Sequence, residues 1–395
     1  MTQTVQTSGA VPPVSHVSIG QVVAERLIRP LYQPIVDLST RTMVGLEALA
    51  RGPAGTPLEF PDRLFAAARD AGCYGELDML CAERAVECGL TAPVPPPLLF
   101  INAEPGVLDQ PVSSRMLEMV YRGLPFRKVL EFTERGLPAV PGSMLRLAGR
   151  LQGWGHSIAL DDVGVDPMSL FFLPVLEPEV IKLDMSLVRN PHAPATQAVC
   201  AVVRAEALRT GAVVIAEGIE TEDDLVAARG LGAAWGQGWL FGRPEPIAQA
   251  NHPFDHAAAS VLRAPRPEFH QPAGTPFQVA ASRGPVVTGA TDSVTAAVTR
   301  LRHVLAADDG AAVVVVSFPD TGFPGVAVSL QELAGKARSV ILLDDPVPGE
   351  FAAVIVGGGY GRAVCARSSA TLEIVDLDHL PTVAAVARNL LNRHR

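Results

Sequence analysis

The chain has 395 residues, of which 48% are hydrophobic and 18% are charged, and its net charge is −9. This length predicts two or three domains, and the hydrophobic content excludes a globally disordered chain. No stretch concentrates lysine and arginine, so a protein that clamps a long nucleic acid is not expected. The acidic excess is compatible with a small phosphate ligand if metal ions neutralise the binding site locally.

The first 20 residues are expected to form a flexible leader. Residues 1–16 have neither the basic start nor the apolar segment of a secretory signal, so no such signal is expected. The longest apolar run, residues 311–316, is far shorter than the ~20 residues that a membrane span needs. No CxxC pair occurs, so the cysteines are expected to be reduced side chains in a reducing compartment. They are Cys73, Cys81, Cys88, Cys200 and Cys365. These features predict a cytoplasmic protein.

Between residues 21 and 250, short apolar runs alternate with amphipathic stretches. The runs predict strands at 29–36, 44–50, 98–103, 128–133, 157–163, 180–185, 213–217 and 234–240. The stretches predict helices at 61–72, 77–89, 113–122, 143–153, 196–210 and 222–230. This alternation is typical of a parallel sheet with crossover helices. Eight such units favour an α/β fold of the closed, TIM-type (β/α)8 barrel class over an open sheet.

The composition changes after this unit. Residues 251–283 contain several prolines and no clear periodicity, so we expect a linker. Residues 284–395 predict a smaller α/β domain with helices at 293–307, 329–337 and 381–392, and strands at 311–318, 339–343, 352–356 and 371–376. Few polar residues converge in this second unit, so we expect no chemistry there.

Polar side chains lie within or directly after the predicted strands of the first unit. They are Glu47, Asn102, Glu131, Glu134, Asp161, Asp162, Lys182, Asp184, Glu217, Glu220 and Gln237. The C-terminal ends of barrel strands meet at one mouth. Any single acid is equally well explained as a salt-bridged core residue, because an unpaired buried carboxylate costs several kcal/mol. Acids from five strands are too many for Lys182 to pair, and divalent cations with oxygen ligands would resolve the imbalance.

The adjacent acids Asp161 and Asp162 are informative because neighbours within a strand point to opposite faces. At the end of a strand, where the chain turns, both carboxylates can reach one place, and Gly164 supplies such a turn. One carboxylate can then bridge two ions. Two ions about 3.5–4 Å apart are a common solution for the cleavage of phosphodiesters.

Seven sequence blocks occur in order: YQPIVDLSTRTMVGLEALARG (32–52), FINAE (100–104), LEFTER (130–135), IALDDVG (158–164), VIKLDMSLV (180–188), VIAEGIET (214–221) and GQGWLFGRPEP (236–246). Together they resemble the EAL domain family over residues 21–250. Any one block is weak evidence, whereas seven blocks in order are specific. The last block disfavours a different metal-dependent barrel hydrolase, because metal binding alone gives no reason for that string.

The resemblance implies a phosphodiesterase that opens cyclic di-GMP to linear 5′-pGpG with two Mg²⁺ or Mn²⁺ ions. The implied metal ligands are Glu47, Asn102, Glu131, Asp161, Asp162 and Glu217. The implied catalytic residues are Glu47, Lys182 and Glu217, with Glu217 as general base and Lys182 steadying the attacking water or the phosphate charge. Substrate contacts are implied for Gln33, Arg51 and Gln237, and supporting roles for Glu134, Asp184 and Glu220. An alternative explanation for Arg51 is a surface residue that forms an ion pair at the barrel rim.

Residues 162–169 depart from the family pattern. They read DVGVDPMS, whereas the family usually has DFGTGYSS, a loop that links metal binding to dimer contacts. Asn102 is followed by Ala103 and Glu104, which is a smaller departure. These changes support an alternative function, a receptor that binds cyclic di-GMP without cleaving it. The complete set of ligand positions favours catalysis.

The second unit faintly resembles the DICT-type sensory domains that follow EAL domains in some bacteria. The resemblance rests on position and strand–helix rhythm only, and a packing or dimerisation domain explains the same pattern. We expect the unit to modulate the barrel in signal transduction, with a signalling partner that the sequence does not identify. The family resemblance also favours a homodimer.

Overall fold

The computed structural model describes residues 17–104, 112–133, 140–249, 253–306, 312–319, 323, 326, 335, 337–343 and 345–394. Most of the expected leader and most of the predicted helix at 329–337 lie outside these residues. The first described helix, α1 (Ile19–Ala24), includes the last two positions of the expected leader. No helix in the described ranges is long and apolar enough to cross a membrane.

Eight strands close into a barrel in chain order, which confirms the predicted fold class. They are β1 (Leu31–Asp37), β2 (Met43–Leu49), β3 (Leu98–Ala103), β4 (Arg127–Thr133), β5 (Ser157–Val163), β6 (Val180–Leu183), β7 (Val213–Ala216) and β8 (Trp235–Gln237). The neighbours from β2 to β8 are parallel, whereas β1 is antiparallel to both β2 and β8. The sheet is therefore not parallel throughout, because the five residues between β1 and β2 are too few for a crossover helix.

Helices connect the parallel strands along the outside of the barrel. They are α2 (Pro61–Asp70), α3 (Tyr74–Gly89), α4 (Ser114–Tyr121), α5 (Pro141–Gly153), α6 (Met168–Leu176), α7 (Met185–Arg189), α8 (Pro194–Thr210) and α9 (Glu222–Leu231). The sequence did not predict α6 and α7. The predicted strand at 180–185 ends at Leu183, because the Asp184 side chain accepts a hydrogen bond from Ser186 N and caps α7.

The helix α6 has the sequence MSLFFLPVL, and all of its residues except Leu170 are buried. A helix covered on nearly every side has no polar face, so it lacks the 3.6-residue periodicity by which the other helices were predicted. Pro174 also lies inside it, where proline normally argues against a helix. Tertiary packing rather than local preference therefore explains this element.

The interior of the barrel is filled by apolar side chains below its C-terminal mouth. Ile35, Val44, Phe100, Val129, Ala159, Val180 and Ile215 belong to this buried group. On β4, Val129 shares the inward orientation of Glu131, since residues two apart in a strand face the same side. The polar residues at the mouth therefore stand on a dry, apolar floor, where charges interact more strongly than in water.

A six-stranded sheet forms the second unit, in the order β11-β10-β12-β13-β14-β9. Its strands are β9 (Val287–Gly289), β10 (Val313–Ser317), β11 (Ser339–Leu342), β12 (Glu350–Gly357), β13 (Tyr360–Ser368) and β14 (Leu372–Leu377). The sequence did not predict β9 or β13. The helix α12 (Thr291–Ala306) packs against one face of this sheet, and α13 (Leu380–Leu391) packs against the other.

The helix α13 joins the two units through one continuous hydrophobic core. Every residue from Val383 to Leu391 is buried, between the sheet on one side and α5 and α6 of the barrel on the other. The expected linker contains two short helices, α10 (His256–Ala259) and α11 (Pro276–Ala281). Its side chains Leu262 and Phe277 are buried, so this segment is packed in the fold as well as connecting the two units.

Candidate active site

The C-terminal ends of the barrel strands carry seven of the polar residues singled out in the sequence. In strand order from β2 to β8 these are Glu47, Asn102, Glu131, Asp161, Lys182, Glu217 directly after β7, and Gln237. The strand register places Asn102 directly opposite Glu131. The barrel therefore gathers at one mouth side chains that lie up to 190 positions apart in the chain, as in the contact of Gln237 with Glu47.

Lys182 lies at the centre of this group, and its side chain is 1% exposed. Its Nζ lies 2.7 Å from Glu131 Oε1, 2.7 Å from Glu217 Oε1, 3.2 Å from Asp161 Oδ1 and 3.6 Å from Glu47 Oε2. One ammonium group cannot neutralise four carboxylates. The centre is therefore a place where additional positive charge would be stabilising.

The pKa values of the carboxylates in this group are shifted in different directions. Burial, reinforced by repulsion from Glu47, raises the pKa of Glu131 well above its ordinary value. Burial also raises the pKa of Glu217 to about 8, although the charge of Lys182 opposes this shift. Burial acts in the same direction on Glu47, but the charge of Lys182 and the hydrogen bond from Gln237 prevail, and the pKa of Glu47 is lowered. Glu131 and Glu217 thus retain protons more readily than Glu47, and a bound cation would displace those protons.

Glu47 is held by a network of amide side chains. Asn102 Nδ2 donates to its Oε1 at 3.0 Å, and Gln237 Nε2 donates to its Oε2 at 2.5 Å. Gln237 Nε2 also lies 3.1 Å from Gln33 Oε1, and Gln33 Nε2 donates to the carbonyl of Gly242. Three amide residues with predicted roles, Asn102, Gln33 and Gln237, are therefore part of the same assembly as Glu47.

The turn after β5 brings a second group of acids together. Asp161, Asp162 and Glu217 place carboxylate oxygens within 4.8 Å of one another. Asp162 has a left-handed backbone with φ of 55°, which is uncommon for a residue other than glycine. Gly164 has φ of 108°, and a Cβ there would lie 2.6 Å from Leu187 Cδ1, so only glycine fits this turn.

The donor set of this centre fits divalent cations. Oε2 of the fully buried Glu131 has no hydrogen-bond donor among the described residues, although a buried carboxylate oxygen normally has one. The surrounding ligand atoms are carboxylate and amide oxygens, which Mg²⁺ and Mn²⁺ favour. A cation near Glu131, and another among Asp161, Asp162 and Glu217, would satisfy these oxygens and offset their mutual repulsion.

Other predicted site residues lie outside the central group. Asp184 caps α7, and Glu220 pairs with Arg189 at 3.1 Å. Arg51 is half-buried, and its Nη1 donates to the carbonyl of Ala50 at 2.7 Å. Burial lowers the pKa of Arg51, while the charges of Glu59 and Glu47 oppose this shift. Glu134 lies outside the described residues.

A cleft of about 550 Å³ opens beside Glu47 and Asn102, between the strand ends and the helices α2 and α3. Its lining includes Asp78, a residue that the sequence pattern did not predict to be part of the site. Burial, with repulsion from Glu104, raises the pKa of Asp78 to about 7. In the sequence, Asp78 is recognisable only as an acid between Leu77 and Met79 in a predicted helix. A lone acid on a helix is too common a feature to have been selected.

The closed barrel and its carboxylate-rich mouth define the class of TIM-type barrel proteins whose C-terminal strand ends offer oxygen ligands suited to divalent cations. A profile of the EAL domain family matches residues 18–244, more than half of the chain. The chain therefore belongs to the EAL domain family, as the sequence blocks indicated.

Similar proteins include a probable cyclic di-GMP phosphodiesterase of Escherichia coli K12, PdeB, which is 31% identical over 58% of this chain and 45% of its own length. The cyclic di-GMP phosphodiesterase RocR of Pseudomonas aeruginosa is 30% identical over 58% of this chain and 59% of its own length. The chain thus spans about half the length of these curated relatives.

Among solved structures, BlrP1 of Klebsiella pneumoniae in complex with calcium and cyclic di-GMP is 27% identical. The alignment has a TM-score of 0.50 and covers 56% of this chain and 57% of that one. The FimX EAL domain of Xanthomonas citri aligns with a TM-score of 0.53 over 60% of this chain, and its 18% identity supports the shared fold alone.

Proposed function

We propose that the barrel, residues 21–250, hydrolyses cyclic di-GMP to linear 5′-pGpG with two Mg²⁺ or Mn²⁺ ions. The observation that carries this proposal is the contact of Lys182 with four carboxylates beside the three-acid group Asp161, Asp162 and Glu217. Membership of the EAL family supports it, as do the similarity to the probable phosphodiesterase PdeB and the phosphodiesterase RocR and the ligands of BlrP1.

Two divalent cations, when bound, would offset the charge of the phosphodiester and lower the pKa of an attacking water. Glu47, Asn102, Glu131 and Asp161 would hold one ion, and Asp161, Asp162 and Glu217 the other. Glu217, once ionised, would take a proton from the water as it attacks phosphorus. The bond to the 3′ oxygen would then break, and this oxygen would leave as a hydroxyl after taking up a proton. Lys182 would steady the water or the phosphate charge.

The substrate would extend from this centre into the neighbouring cleft. Gln33, Arg51 and Gln237 would contact the dinucleotide, with Arg51 directed to a phosphate. Asp78 lines the same cleft, and its carboxylate can accept hydrogen bonds from the adjacent N–H groups on the edge of a guanine. The remaining predicted residues, Glu134, Asp184 and Glu220, would have supporting roles.

The test is incubation of the purified chain with cyclic di-GMP and Mn²⁺, followed by chromatography of the nucleotides. We expect 5′-pGpG to form, and we expect Glu217→Gln to lower kcat by about 10²- to 10⁴-fold because the general base is lost. Glu222→Gln is the matched control, since Glu222 is exposed and pairs with Arg41 away from the site. Equal rates for the two variants would contradict the role of Glu217.

The altered loop at residues 162–169 supports a second candidate function. A chain that binds cyclic di-GMP but forms no 5′-pGpG under these conditions would be a receptor that signals through its second unit. Binding in the presence of Ca²⁺, measured by calorimetry, would distinguish this outcome from a failure to bind. Intact ligand positions make hydrolysis the preferred proposal.

We further propose that residues 284–395 are a regulatory unit, which faintly resembles DICT-type sensory domains and is joined to the barrel by residues 251–283. We propose a homodimer that acts in the cytoplasm with a signalling partner still to be identified. The five free cysteines support a reducing compartment. Light scattering of the purified chain would test the dimer.

A further inference from the structure

The helix α6 connects the metal-binding turn to the second unit. It begins six residues after Asp162, and its side chains are buried between the barrel and the second unit. Leu170, its one partly exposed residue, packs against Gly358 in the turn between β12 and β13. A Cβ at Gly358 would lie 3.3 Å from Leu170 Cδ1, which is a tight contact, so this turn lies close against the helix.

The N-terminal end of α6 is held by Asp166. Its Oδ1 accepts a hydrogen bond from Met168 N at 2.8 Å, and its carbonyl accepts one from Ser169 Oγ at 2.7 Å. The same carboxylate receives Arg338 of the second unit, whose Nη2 lies 3.1 Å from both oxygens. A side chain of the second unit therefore contacts Asp166, the residue that accepts hydrogen bonds from the first turn of α6.

The C-terminal end of α6 is held by Arg388 on α13. Its side chain is 3% exposed, and Nη1 donates to the carbonyls of Pro174 at 3.1 Å and Val175 at 3.2 Å. These carbonyls belong to the last turn of the helix, where no amide further along the helix is available. A cation also complements the negative end of the helix dipole. The second unit therefore holds α6 at both ends.

The geometry of the turn links these contacts to the metal ligands. Only Val163, Gly164 and Val165 separate Asp162 from Asp166, and Val165 N donates to the carbonyl of Asp162 at 3.2 Å. The left-handed backbone of Asp162 is strained, so it persists only where its surroundings fix it. A displacement of Asp166 would be transmitted to Asp162 through this short turn.

We propose that the second unit positions the metal ligands Asp161 and Asp162 within the same chain, and that Arg338, acting through Asp166, is a positioning residue for them. This inference rests on the proposed function, since it assigns a regulatory contact to that site. It also implies that the outer face of α6 is covered by the chain itself, so the proposed homodimer would use another surface.

The test measures Mn²⁺ affinity by electron paramagnetic resonance in the full chain. Arg338→Met and Asp166→Asn each remove the ion pair, and asparagine keeps the Oδ1 acceptor for Met168 N. We expect each variant to weaken Mn²⁺ binding by about three- to fivefold, because the pair is half-exposed, at 41% and 40%. The double variant should be no weaker than either single variant, and Arg338→Lys should restore most of the affinity.

The matched control is Arg300→Met, which removes a comparable exposed arginine paired with Asp376 in the second unit, away from α6. Amide hydrogen exchange of residues 163–169 should accelerate in Arg338→Met and remain unchanged in the control. The positioning role is overturned if Arg338→Met, Asp166→Asn and Arg300→Met bind Mn²⁺ alike. A chain that binds Mn²⁺ but forms no 5′-pGpG would defeat the proposed hydrolysis, and the Mn²⁺ comparison would still decide the role of Arg338.

Discussion

Two buried lysines of the barrel have opposite surroundings. Lys182 contacts four carboxylates, whereas Lys128 has no ion pair among the described residues, and its Nζ has the sulfur of Met116 as hydrogen-bond partner at 4.0 Å. The carboxylates raise the pKa of Lys182 well above its ordinary value even though burial opposes this shift. Burial alone lowers the pKa of Lys128 to about 8. The charge of Lys182 is therefore stabilised by the fold, and the charge of Lys128 is not.

This contrast predicts that replacing lysine by methionine has different effects on the free energy of unfolding at Lys182 and at Lys128. In the presence of a chelator, we expect Lys182→Met to lower the free energy of unfolding by about 3–5 kcal/mol, because buried carboxylates lose their counter-ion. Lys128→Met should leave stability unchanged or raise it, since it removes an unpaired buried charge. Urea unfolding of both variants measures this difference. Equal losses of unfolding free energy in the two variants would mean that Lys182 does not stabilise the four carboxylates around it.

At the scale of elements, the segment between the two units has a buried histidine at its centre. His270 is fully buried, and its Nε2 lies 2.8 Å from the carbonyl of Leu176 at the end of α6. Burial lowers the pKa of His270 to about 3, and the nearby cations Arg388, Arg266 and Arg263 act in the same direction. The histidine therefore stays neutral in the folded chain over most of the acidic range.

The lowered pKa of His270 makes the free energy of unfolding depend on pH. Below about pH 6.5 the unfolded chain takes up a proton on His270 that the folded chain refuses, so stability is lost as the pH falls from 6.5 towards 3. The slope is about 1.4 kcal/mol per pH unit for this group. We expect His270→Gln to reduce the slope of unfolding free energy against pH. The control is His192→Gln, since His192 is exposed. Identical slopes for both variants would contradict the role of His270 in the pH dependence.

At the scale of the whole molecule, the barrel and the second unit share one hydrophobic core through α13. This core predicts a single unfolding transition. All three tryptophans, Trp154, Trp235 and Trp239, lie in the barrel, so their fluorescence reports on the barrel alone.

Shortening one buried side chain of α13 in the full chain tests whether the two units unfold together. We expect Leu390→Ala to destabilise the chain by about 2–5 kcal/mol, because Leu390 is fully buried. The loss should be visible in the tryptophan fluorescence of the barrel and coincide with the loss of secondary structure measured by circular dichroism. Leu208→Ala, at an exposed leucine of α8, should change stability by less than about 0.5 kcal/mol. Two separate transitions would show that the units are independent.

The sequence by itself determined the barrel, the order of its strands and the residues at its mouth. These features depend on local patterns: alternating apolar segments define strands and helices, and acids at strand ends stand out against them. The strings around Glu47, Glu131 and Asp161 were specific enough to identify the family before any contact was known. The position of a residue at a strand end follows from chain order alone once the strands are assigned.

Only the tertiary structure decided which residues share contacts across the chain. The pairing of β1 with β8, the burial of α6 on nearly every side and the contact of Arg388 with the last turn of α6 depend on segments that are far apart in sequence. A helix without a polar face and a lone acid such as Asp78 have no local signature, because their roles come from what packs against them. The sequence specified the chemistry of the site, and long-range packing specified what holds it in place.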